Sequence, residues 1–161
     1  GAFEPNIKPE DYDLIFRFRQ IDLQPHTVPE VLLYWRDHED RTTRMNEEYN
    51  IQKYFRMKLP WFLALDHDPQ RQLVLWGAGT RGKAFAQMLL EAKVSFRWVC
   101  DNERKWGKDI YGVKMEDCSE LGQFGSCQVI ISVAAPEEQR GIKALLDELG
   151  LRAGLDYFWF C

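Results

Sequence analysis

The stretch Gly77-Ala78-Gly79-Thr80-Arg81-Gly82 constrains this chain more than any other, because it lies where an unbroken apolar run gives way to an amphipathic helical pattern. Leu73-Val74-Leu75-Trp76, preceded by polar Gln70-Arg71-Gln72, reads as a central parallel strand buried on both faces. Beyond the glycines, Ala84, Phe85, Met88, Leu89 and Ala92 recur at helical spacing, with Lys83, Gln87 and Glu91 on the opposite side. The glycines therefore occupy a strand-to-helix turn.

Each glycine has a physical role in such a turn. Gly77 allows the tight bend, Gly79 lets the backbone approach a phosphate, and Gly82 lets the helix pack close to the strand. The free amides of the first helical turn, at the positive end of the helix dipole, form an anion site. Nineteen positions after Gly82, closing a second apolar run (Val94, Phe96, Trp98, Val99, Cys100), stands Asp101, placed to accept hydrogen bonds from a ribose. Gly77, Gly79, Thr80, Arg81, Gly82, Asp101 and Asn102 form the candidate cofactor-binding set. Its ligand is NAD(P) or a nucleotide-sugar, unless the glycines serve packing alone.

With 161 residues the chain holds one good core, or one domain with a substantial appendage. Its 45% hydrophobic content excludes disorder, and 21 basic against 25 acidic side chains leave no global field that draws it to nucleic acid or an anionic membrane. Cys100, Cys118, Cys127 and Cys161 lack C-x-x-C spacing, which implies reduced thiols, no zinc site and a cytoplasmic location. No stretch has the length of a membrane helix. The opening Gly1-Ala2-Phe3-Glu4-Pro5 lacks the regions of a secretory leader and begins without Met, which suggests a tag remnant or an excised fragment.

The first third differs in texture. Tyr12 to Arg19 is an aromatic-rich helical stretch with acids before it and arginines towards its end. Val31-Leu32-Leu33-Tyr34-Trp35 reads as a strand. A helix is expected from Asn46 towards Leu59, with Pro60 kinking it or opening a second short helix around Trp61, Phe62 and Leu65. Asp66-His67-Asp68-Pro69 reads as a solvated linker and a domain boundary. Downstream, Ile110 to Met115 is a short strand-like excursion, Cys127 to Val133 a third core strand, Pro136 to Leu149 a helix, and Asp156 to Phe160 a last strand. The expected fold is α/β: a small Rossmann-like parallel sheet flanked by helices, after an N-terminal helix-strand-helix segment.

Several tempting patterns carry little. Tyr49-x-x-x-Lys53 and Tyr54-x-x-x-Lys58 have the spacing of the short-chain dehydrogenase pair but precede the glycine motif instead of following it. Asp66-His67-Asp68 offers adjacent ligands that diverge, so it is read as a turn and not a metal site. Arg104 and Lys105 follow Asp101 closely and would suit a further phosphate or a carboxylate, but they are read as part of a solvated loop. Trp76 is expected to fill the core, and exposed aromatics between Tyr157 and Phe160 would mark a homodimer edge.

Two resemblances add to this. Asp101-Asn102-x4-Gly107-x2-Ile110-x-Gly112-Val113 resembles the small Rossmann-like domains of bacterial sugar-modifying enzymes, including the nucleotide-sugar-binding domain of sialic-acid-type acyltransferases and the matching domain of nucleotide-sugar dehydratases. Glu10-Asp11-Tyr12-Asp13-Leu14, followed by Val28-Pro29-Glu30 through Trp35-Arg36-Asp37-His38, is similar to the closing part of family 2 glycosyltransferases of GT-A fold. That likeness implies Asp11 as the base that deprotonates an acceptor hydroxyl and His38 as a contact to a divalent metal or diphosphate, both only within a full-length transferase. It further implies that residues 1–69 are a transferase tail with a helical connector and 70–161 an accessory domain. The missing N-terminal transferase domain would be its partner, polysaccharide biosynthesis its setting, and the chain alone would be inactive. The alternative is a free-standing NAD(P)- or nucleotide-sugar-binding module. An NAD-dependent oxidoreductase is argued against by the absence of a recognisable catalytic set.

Overall fold

The computed structural model describes residues 3–4, 7, 9–23, 26, 28–36, 38 and 51–160. They fall into two compact units, Gly1–Leu65 and Asp66–Cys161.

In the first unit, helix α1 (Glu10–Gln20) starts with Glu10, Asp11 and Asp13 in its first turn and ends with Arg17 and Arg19 in its last, so both helix ends face charges that oppose the dipole. Asp13 is buried, and Arg17 Nε donates to its Oδ2 at 2.9 Å. The helix closes with Asp22 in the left-handed region (φ 62°), where the amides of Asp22 and Leu23 satisfy the carbonyls of Arg19 and Phe18. Helix α2 (Ile51–Leu65) buries Phe55, Leu59 and Phe62. Phe16 stacks on Trp61 at 5.8 Å, and Tyr12 meets Tyr54 edge-on at 5.5 Å. Lys58 Nζ sits 4.7 Å over the Tyr12 ring and 5.9 Å over that of Tyr54, so the Tyr54–Lys58 spacing serves packing.

One alternative for this unit is excluded and one expectation is corrected. Pro60 opens no second helix but lies inside α2. The bond it forfeits is to the carbonyl of Arg56, and both residues are exposed, so water can take that carbonyl. Val31–Trp35 forms no strand, because pairing makes a strand and the described residues of this unit contain no other. The expected helix start at Asn46, together with Tyr49, lies outside the described residues.

The second unit is an α/β fold around one six-stranded sheet. Strands β1 (Gln72–Trp76), β2 (Arg97–Cys100), β3 (Asp109–Ile110), β4 (Val113–Asp117), β5 (Cys127–Ile131) and β6 (Tyr157–Trp159) are arranged in the order β3-β4-β2-β1-β5-β6. All neighbours are parallel except the β3–β4 hairpin. The stretch expected as one excursion thus supplies two strands, and β4 continues the main sheet beside β2. Helix α3 (Thr80–Glu91) joins β1 to β2, and α4 (Pro136–Glu148) joins β5 to β6. These crossovers run in opposite directions from the sheet centre, so right-handed connection places the helices on opposite faces. Ile142 and Leu146 of α4 pack on Val74, Trp76, Val99, Val129 and Ile131, and the alternate residues Leu73, Leu75, Trp98 and Ile130 are buried on the other side. Trp76 is core, as expected. Phe85 of α3 meets Phe160 at 4.9 Å; Tyr157 and Phe160 are buried and Phe158 and Trp159 half-buried, which corrects the expected exposed aromatic edge.

The stretch Asp66–Pro69 is no solvated linker. Gln128, buried in the central strand β5, accepts from the Asp68 amide at 2.8 Å and donates to the carbonyls of Asp66 at 2.8 Å and Leu155 at 3.1 Å. One side chain thereby fastens the entry of the unit to its far end, and its own polar atoms are satisfied in the interior.

Candidate functional site

The glycine turn is held from three sides. Gly77 has φ +119°, and a Cβ on it would lie 2.6 Å from Ser132 Oγ, so both conformation and space require glycine. A Cβ on Gly82 would stand 2.0 Å from the Gly77 carbonyl oxygen, which shows how closely α3 approaches the end of β1. The buried Trp98 indole donates to that same oxygen at 2.8 Å, the Gly77 amide donates to Val99 O at 3.0 Å, and Ser132 Oγ donates to Trp76 O at 2.9 Å. Tyr111 stacks over Trp98 at 6.3 Å.

Gly79 differs. It is the N-cap of α3 with φ −76° and ψ −170°, ordinary extended backbone, and a Cβ there would meet nothing within 4 Å. No side chain caps the helix, and its first intrahelical bond runs from the Lys83 amide to Gly79 O at 3.0 Å. The amides of Thr80, Arg81 and Gly82 therefore have no acceptor within the helix. Thr80 and Arg81 line a cleft of about 290 Å³, with Gly82 packed behind them. The cleft lies outside the carboxyl ends of β1, β2 and β5, at the point where connections diverge from β1 and β5.

Two cations line it. Arg81 is half-buried and makes no ion pair among the described residues, while Lys105 Nζ donates to the Ala78 carbonyl at 2.7 Å and so lies over the glycine turn. Asp101 and Glu138 also line it, both exposed. The Asn102 side chain accepts from the Arg104 amide at 3.1 Å and caps the short 3-10 helix Glu103–Lys105 that carries the lysine. Cys100 is the thiol of the cleft; burial pushes it above its ordinary value, and burial likewise raises Cys118 to about 11. Both stay protonated at neutral pH and are poor nucleophiles. The cleft is equipped to hold anions and hydroxyls, and its thiol is not an activated nucleophile.

All seven residues of the sequence-derived set meet in this region: Gly77, Gly79, Thr80, Arg81, Asp101 and Asn102 line the cleft, and Gly82 packs behind it. Sequence reading missed the third wall, Ser132 to Ala134 with Glu138. The signal was present, since these residues follow the third core strand as Asp101 follows the second. Lys105 is no solvated side chain, whereas Arg104 is exposed. Asp11, exposed in the first turn of α1 with its Oδ1 accepting from the Tyr12 amide at 2.9 Å, and His38, also exposed, belong to the other unit.

No protein-family model matches the chain, and no curated protein sequence matches it. Among solved structures it is similar to UDP-D-quinovosamine 4-dehydrogenase from Vibrio fischeri, at 19% identity and TM-score 0.44 over 50% of this chain and 73% of that one. It is also similar to RSP, a Rex-family repressor, at 18% identity and TM-score 0.46 over 65% of this chain and 51% of the repressor. RSP in complex with beta-NADH aligns at 21% identity and TM-score 0.44 over 55% of this chain and 45% of the repressor. The chain thus spans about half the length of these repressor chains. Among the described residues, no helix is long and apolar enough to cross a membrane.

Proposed function

We propose that the unit 66–161 binds a ligand bearing a nucleoside diphosphate, whether nucleotide, dinucleotide such as NAD(P), or nucleotide-sugar, with a phosphate at the start of α3. One observation carries this reading. Packing explains Gly77 and Gly82, but it does not explain Gly79, whose backbone suits any residue and whose Cβ would point into open space. A glycine that neither strain nor crowding requires leaves room for something outside the protein. Around that room stand the uncapped start of α3, with Thr80 and Arg81 lining the cleft, and two cations, the chemistry of a phosphate site.

Gly79→Asp tests it. Aspartate is a good N-cap, so the free protein should be as stable as the parent or a few tenths of a kcal/mol more stable. A carboxylate at that position would take the amides and repel phosphate. Thermal unfolding of the chain with NAD, NADP, UDP, UDP-sugars and coenzyme A should show a midpoint rise for one class, about 2.7 kcal/mol at a hundredfold excess over Kd, that the substitution abolishes. A panel with no shift, or a shift that survives Gly79→Asp, would sink the assignment.

A second reading concerns the first unit. Val31–Trp35 presents five successive apolar side chains that are all exposed, which is how a strand separated from its sheet would look. This favours the unit as the tail of a GT-A glycosyltransferase domain, in which Asp11 and His38 would work only with the rest of that domain. A sugar-transfer assay with several activated donors should give no turnover for this chain, and turnover here would refute that reading.

A further inference from the structure

Charges in the cleft are ordered along the sheet. Asp101 follows β2 on one flank, the glycine turn with Arg81 follows β1 in the middle, where Lys105 reaches across from the β2 side to Ala78, and Glu138 lies in α4 after β5 on the other flank. Adjacent strands stand about 4.8 Å apart, so the ends of β2 and β5, after which the two flanks are built, lie about 10 Å apart. The order is acid, cation, acid.

Glu138 is not engaged elsewhere. Its neighbour Glu137 pairs with Arg140, but Glu138 makes no hydrogen bond or ion pair among the described residues. An ionised carboxylate accepts hydrogen bonds and donates none, so it receives hydroxyl groups and repels a phosphate. The matching ligand carries hydroxyls, then a diphosphate, then hydroxyls again.

We propose that Glu138 determines specificity by accepting hydroxyl groups of a sugar esterified to the far phosphate, so that the cleft selects nucleoside diphosphate esters over nucleoside triphosphates. This rests on the reading that a diphosphate lies at Gly79. A dinucleotide and a nucleotide-sugar share that chemistry, and NAD and UDP-glucose are the probes that separate them.

Titration calorimetry of the whole chain with NAD, UDP-glucose, ATP and UTP, repeated on Glu138→Gln, reads the difference. The parent should bind one ester at least about tenfold more tightly than the corresponding triphosphate. Glu138→Gln should weaken that ester about fivefold, by loss of a charge-assisted hydrogen bond, and tighten the triphosphate about threefold, by loss of repulsion. Glu138 is exposed, so the variant should unfold within a few degrees of the parent, the lost charge in the first turn of α4 being its only cost. Movement of both ligands by one factor, or of neither, overturns the role of Glu138 while leaving the diphosphate reading intact, provided binding stays sensitive to Gly79→Asp. Absence of binding by every probe overturns both.

Discussion

Val31-Leu32-Leu33-Tyr34-Trp35 and Leu73-Val74-Leu75-Trp76 are nearly the same run of side chains, yet the first is exposed from 66% at Trp35 to 88% at Tyr34 and the second no more than 3% at Trp76. Composition does not separate them. The difference is neighbours: β1 pairs with β2 on one edge and β5 on the other, and helices cover both faces, whereas the described residues of the first unit offer no strand at all. An apolar run states a demand for a sheet, and only the rest of a domain can meet it.

Three substitutions press on this contrast. Gly82→Ala should have the largest effect, because it drives a methyl into the Gly77 carbonyl at the end of β1. We expect a loss of about 4 kcal/mol or more in chemical denaturation of the second unit, and a cost under 1 kcal/mol would mean that β1 does not depend on that close approach.

Asp156→Asn comes next. The Asp156 carboxylate meets Arg71 at 2.8 Å and the Arg152 amide at 2.9 Å beside the β5–β6 edge. Burial pushes this carboxyl up, but the Arg152 amide and the Arg71 guanidinium outweigh burial and hold it below the ordinary range. A carboxyl lowered in the folded state contributes stability above its unfolded value near pH 4, and that contribution fades as pH falls through the folded value. The variant should lose about 2 kcal/mol at pH 7, less than the roughly 3–5 of a fully buried pair, and should show a shallower stability decline below about pH 4. Equal acid limbs in the two proteins would assign the acid sensitivity to other groups.

Leu33→Lys should have the smallest effect, within about 0.5 kcal/mol by the same denaturation, since the side chain already faces water. A loss above about 1 kcal/mol would show that the run is covered in solution and would end the contrast with β1.

Most of the second unit was legible because its elements are local: a buried run, a turn, an amphipathic helix, repeated. What was not legible depends on contacts distant in sequence. The place of β4 beside β2 follows from a register that no local pattern encodes, and Lys105 looks like any loop cation until the chain folds it onto Ala78. The third wall of the cleft was readable in principle, from the rule that ligands lie beyond the carboxyl ends of strands where connections diverge. In the first unit the error was to treat apolar continuity as sufficient for a strand. Asp66–Pro69 misled in the opposite sense, because its polar groups look solvated until Gln128, sixty residues later in the chain, binds them.

That last bond has a consequence for where the chain can be cut. A truncation beginning at Gln70 would keep every strand and helix of the second unit, yet it would remove the Asp68 amide and the Asp66 carbonyl from a glutamine that stays in the interior. The stranded amide would cost about 1–3 kcal/mol. The frontier of this unit is therefore drawn by one side chain's need for partners, several residues outside the first strand that secondary structure alone would choose.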